Sequence, residues 1–78
     1  MTMTMTLKQL KNGQKATITK VVAEGMLSQK LSDMGFVAGR EVMMVRSAPL
    51  RDPIEVCIVG YNVGIRKEEA DFVHIEMK

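Results

Sequence analysis

The sequence predicts a mainly β domain: a small, partly open barrel of about five short antiparallel strands with two brief helices. Three observations carry that expectation. Apolar residues alternate with period two in short runs bounded by Gly, Pro or Asn, the signature of half-buried strands. The period switches to helical spacing only briefly, over residues 26 to 34. A chain of 78 residues with 46% hydrophobic content makes one domain with one small core.

The elements follow in order. "MTMTMT" alternates like an edge strand, but six residues at a terminus are expected to be a disordered extension, leaving residues 7–78 as the domain. Asn12-Gly13 is a tight turn. In the strand after it, Ala16 and Ile18 alternate with Thr17 and Thr19. "GMLSQKLSDMG" then places Leu27, Leu31 and Met34 on one helical face, with Gly25 as its N-cap. Gly35 stands where a helix ends in the left-handed conformation, and Phe36 should fold back over Leu31. On that account Gly35→Ala costs about 1 kcal/mol.

Gly39 falls third in a type II turn and opens a strand from Arg40 to Arg46. Val42 and Met44 share one face of this strand, Met43 and Val45 the other. Both faces are apolar, so the strand is either covered on both sides or carries a binding surface. Pro49 and Pro53 bracket a loop. Ile54, Val56 and Ile58 then point inward, "GYN" turns a hairpin, and Val63 and Ile65 continue the inward set. "KEEADF" is a helical turn. "VHIEM" closes the chain, with Val73, Ile75 and Met77 inward. Strands of this number and length point to an SH3-like barrel, with the OB-fold as nearest competitor.

Charge and composition exclude more than they assert. A formal charge of +2 from 11 basic and 9 acidic residues announces no nucleic-acid or membrane surface. No apolar run reaches the length of a spanning helix, and a lone Cys57 suits a reducing cytoplasm. The two glycines of "LSDMGFVAGREV" do not cradle phosphate. Such a loop needs a strand before its glycines and a helix after them, and here the order is reversed.

Catalytic chemistry finds no support, because the single His74 has no nucleophile beside it. His74 and Glu76 share a strand face, and Cys57 could reach that face from another strand. Thiolate and carboxylate together do not define an iron site, so the expectation is no metal and no cofactor. Nucleic-acid binding is the alternative reading for a small barrel. It is weakened by having only Phe36, Tyr61 and Phe72 to stack bases, at least two of them expected in the core.

The segments "LKNGQKATI", "KLSDMGFVAGREVMMV", "APLRDPIEV" and "IRKEEADFVHI" resemble, in order and spacing, the FeoA family of ferrous-iron transport proteins, over residues 7 to 77. The resemblance implies an SH3-like barrel with a cytoplasmic accessory role. The implied partner is FeoB, a membrane transporter with a GTPase domain on its cytoplasmic side. Ala38, Arg51 and Gly64 depart from the usual Pro, Gly and Ala of that family. Neither nucleic acid nor direct membrane insertion is expected, only recruitment to the inner face of the membrane through the partner. Partner contacts are expected at Met26, Leu27 and Lys30 on the helix, at Met43 and Val45 on the second face of their strand, and at Leu50 and Arg51 in the loop.

Overall fold

Period-two alternation becomes a six-stranded antiparallel sheet in the computed structural model, which describes residues 5–77. In chain order the elements are β1 (Met5–Thr6), a 3-10 turn (Leu7–Gln9), β2 (Lys15–Val21), α1 (Gly25–Asp33), β3 (Glu41–Arg46), β4 (Ile54–Ile58), β5 (Tyr61–Ile65), α2 (Lys67–Ala70) and β6 (Val73–Met77). The strands lie in the order β1-β6-β2-β3-β4-β5. Ends of the sheet are left at β1 and β5, so it is a partly open barrel of the small mainly β kind the pattern predicts.

Register explains the core. Ala16 faces Val42, Val42 faces Ile58, and Ile18 faces Ile75. The inward set therefore lies in contiguous rungs, and Val56, Ile54, Ile65, Val73 and Met44 complete it, all buried. Leu7 and Leu10 from the 3-10 turn, with Leu31 and Phe36 from the helix and its exit, are buried in the same cluster.

The helix stops as the sequence dictates. Gly35 has φ +103°, its N–H donates to the Ser32 carbonyl at 3.0 Å, and the Phe36 N–H donates to the Leu31 carbonyl at 2.9 Å. This paired bonding satisfies two terminal carbonyls at once and leads Phe36 into the core beside Leu31. The next turn also holds: Gly39 has φ +90°, and the Arg40 N–H donates to the Val37 carbonyl at 3.2 Å.

Five expectations need correction. Met5 and Thr6 belong to the sheet, pairing with Ile75 and His74, so part of the expected 1–6 extension is ordered; residues 1–4 lie outside the described residues. The helix is preceded by Glu24 as N-cap, and Gly25 is its first residue, at φ +62°. The hairpin turns on Val59-Gly60 rather than on "GYN", since Tyr61 already pairs with Ile58. Met77 is exposed at the last position of β6, although its partner Ala16 is buried. Of the three aromatics only Phe36 is core, while Tyr61 and Phe72 are exposed, one beside a turn and one after α2.

Candidate protein-docking surface

The expected contact residues fall in three places. On α1, Met26 is 90% exposed, whereas Leu27 is half-buried and packs on the core. Leu27 borders a cleft with Lys8, Glu68, Asp71 and Phe72. Lys30 closes that region by donating from Nζ to Glu69 Oε2 at 2.7 Å, tying α1 to α2. The Lys30 ammonium, reinforced by the Arg66 N–H on Oε1, holds the Glu69 carboxyl below its ordinary value against a smaller opposing effect of burial.

Met43 and Val45 are half-buried on the outer face of β3, the face opposite Val42 and Met44. Met43 sits between Lys15 of β2 and Cys57 of β4 on one rung. It lines a second cleft with Arg40, Val59 and Gly60. Leu50 and Arg51 stand apart from both groups. Leu50 has 101% of its reference surface exposed, and with Arg51 it lines a third cleft against the β5 edge.

The three candidate ligands are spread over the sheet. Cys57 lies on β4 and His74 on β6, with β3 and β2 between them. The expectation that Cys57 could reach the His74 face is therefore corrected. No group of three His, Cys, Asp or Glu that could hold a metal ion occurs among the described residues. No described helix is long and apolar enough to cross a membrane.

Sequence reasoning missed Val59. A β-branched residue at φ +54° is strained, yet "IEVCIV" reads as unbroken strand. Only Gly60, as the second residue of a two-residue turn, hinted otherwise. Exposed Val22 and Phe72 were also missed, although the Val22 N–H donates to the Phe72 carbonyl at 2.9 Å and brings the two together.

The fold is that of a small, mainly β, SH3-like module. The profile of the FeoA domain matches residues 5–77, and the chain belongs to the FeoA family of ferrous-iron transport accessory proteins. A fusion protein of Fe(2+) transport protein A and Fe(2+) transporter FeoB from Porphyromonas gingivalis is 38% identical over 73 residues, covering 94% of this chain and 9% of its own length. The solution structure of iron(II) transport protein A from Clostridium thermocellum superposes with TM-score 0.88 at 42% identity, over 94% of this chain and 45% of that one. Stenotrophomonas maltophilia FeoA, a zinc complex described as a procaryotic SH3 domain protein, gives TM-score 0.82 at 30% identity, over 92% and 89% of the two chains.

Proposed function

We propose that this chain is a cytoplasmic accessory domain that docks on a FeoB-type ferrous-iron transporter and performs no chemistry of its own. One observation carries the reading: in the Porphyromonas gingivalis relative, the two proteins are joined in a single polypeptide. Fusion holds a domain near its partner at millimolar effective concentration. Where the two are not fused, the same arrangement has to be reached through an interface. The exposed Met26, Leu50, Tyr61 and Phe72 offer apolar surface for one. Docking on the transporter's GTPase side places the chain at the inner face of the membrane through its partner.

Nucleic-acid binding is disfavoured by what surrounds the exposed aromatics. Phe72 shares its cleft with Lys8 and with Glu68, Glu69 and Asp71, so carboxylates that repel phosphate outnumber the one cation lining it. The test is titration of the full-length transporter in detergent with the purified protein. Saturable binding is expected, and its absence at saturating concentration of both proteins would overturn the reading.

A further inference from the structure

β5 is the last strand of the sheet, and its pairing shows where its backbone groups point. The Val59-Gly60 turn is two residues long, so Ile58 and Tyr61 form the closing hydrogen-bonded pair. Alternation along the ladder then makes Val56–Val63 and Ile54–Ile65 the other bonded pairs. Asn62 and Gly64 lie between them, so their N–H and C=O groups face away from β4. No strand lies beyond them among the described residues.

Edges are ordinarily blunted by proline, by charge or by shortness. "YNVGI" has none of these protections. The cleft beside it, about 540 Å3, is lined by Leu50, Arg51, Asp52, Pro53, Glu55 and Gly64 among others. Its carboxylates outnumber its cations, although the whole chain carries +2. Asp52 Oδ1 accepts from the Lys67 N–H at 3.0 Å and Glu55 Oε2 from Asn62 Nδ2 at 2.9 Å. Each carboxylate keeps an oxygen for a further cation.

We infer that the free edge of β5 takes up an extended, lysine- or arginine-bearing cytoplasmic segment of the transporter as an added strand; this rests on the docking reading above. A row of outward N–H and C=O groups is matched along its length by another extended backbone, which makes strand addition the binding mode. Leu50 covers an apolar side chain of the incoming strand, and the Asp52 and Glu55 carboxylates select a cation. Cytoplasmic segments of membrane proteins near the bilayer are enriched in such cations.

Gly64 gives a clean test. It has no positive φ, and a Cβ there would meet Pro53 Cγ at an ordinary 3.7 Å. Gly64→Ala therefore keeps the fold and the outward N–H. Gly64→Pro removes that N–H without taking a bond from β4, since proline is tolerated on an edge at an outward position. Binding of full-length transporter in detergent is measured for all three forms, with the fold of each checked by two-dimensional NMR. The expected result is equal binding by wild type and Gly64→Ala, with at least a tenfold loss for Gly64→Pro.

Amide hydrogen exchange of wild type in the complex supplies a readout that needs no variant. Asn62 and Gly64 should become protected on binding, and their unchanged exchange would overturn the inference even if Gly64→Pro proved misfolded. Equal binding by all three forms overturns the edge but leaves the docking reading standing. Absence of wild-type binding sinks both. Should the free wild-type protein sediment as a dimer that Gly64→Pro dissociates, the occupant is a second copy of this chain, and the transporter segment is rejected.

Discussion

A Cβ placed on Gly35 would lie 2.9 Å from Val59 Cγ2, so the residue that ends α1 is also the seat of the β4–β5 turn. Gly35→Ala therefore meets two penalties, a left-handed φ of +103° and a clash with a β-branched side chain that has few rotamers to retreat into. The expected cost is about 2 kcal/mol, above the conformational term alone. In a double-variant cycle with Val59→Gly, the clash component should vanish and leave a coupling of about 1 kcal/mol. Simple additivity in denaturant melts would reject the contact and leave only the backbone effect.

Val59 carries strain of its own. Both central residues of its turn have positive φ, +54° and +84°, the geometry that Asn-Gly fits and a β-branched residue resists. Since half of the Val59 side chain is exposed, little burial is lost on replacing it. Val59→Asn should stabilise the domain by about 0.5–1 kcal/mol, a rise of several degrees in melting temperature for a domain of this size. A lowered melting point would mean that the seat on Gly35 contributes more than the turn strain costs.

How far the sequence disclosed this arrangement varies from element to element. The Gly35 stop, the Gly39 turn and the inward rows of β2, β3 and β4 are local chemistry or simple alternation, and they were legible. The burial of Leu7 and Leu10 was not. Their spacing fits a helical turn, but only the sheet's open end gives that turn something to fill. The Val59-Gly60 turn escaped because tertiary pairing of Ile58 with Tyr61 overrides the strand preference of valine. The contact residues were partly legible as exposed or two-faced positions. Their separation into three places on the surface depends on chain path, which no periodicity encodes.

The Lys30–Glu69 pair makes stability respond to acid. Glu69 titrates below its ordinary value of 4.5 when folded. Its contribution is therefore complete above that value and disappears as pH falls through the lowered folded value. With Lys30 more than half exposed, the size should be no more than about half a kcal/mol. Urea midpoints of wild type and Glu69→Gln, measured from pH 7 to pH 3, should differ near neutrality and converge at the acid end. A gap that stays constant with pH would assign the difference to packing instead.

Metal binding should be weak and without stoichiometry. Cys57 and His74 lie on strands separated by two others, so the sequence's only mixed-ligand set cannot converge on one ion. Calorimetric titration with Fe(II) or Zn(II) under reducing conditions should show no tight single site. One tight site that His74→Ala abolishes would contradict this placement.

Three aspartate substitutions can locate the docking surface, because the exposed side of α1, the outer face of β3 and the cleft beside β5 respond separately. Met26 is almost wholly exposed, so Met26→Asp should leave the melting point unchanged. Met43 is half-buried between Lys15 and Cys57, and Met43→Asp should cost about 1 kcal/mol through lost burial and a partly desolvated charge. Leu50→Asp touches a fully exposed loop tip, yet it adds a charge where the incoming strand's apolar residue is expected. If the β5 edge is the site, Leu50→Asp weakens transporter binding about tenfold at unchanged stability, while Met26→Asp binds like wild type. Loss at Met26 with retention at Leu50 would move the interface to the exposed side of α1, next to the cleft that Leu27 and Phe72 line.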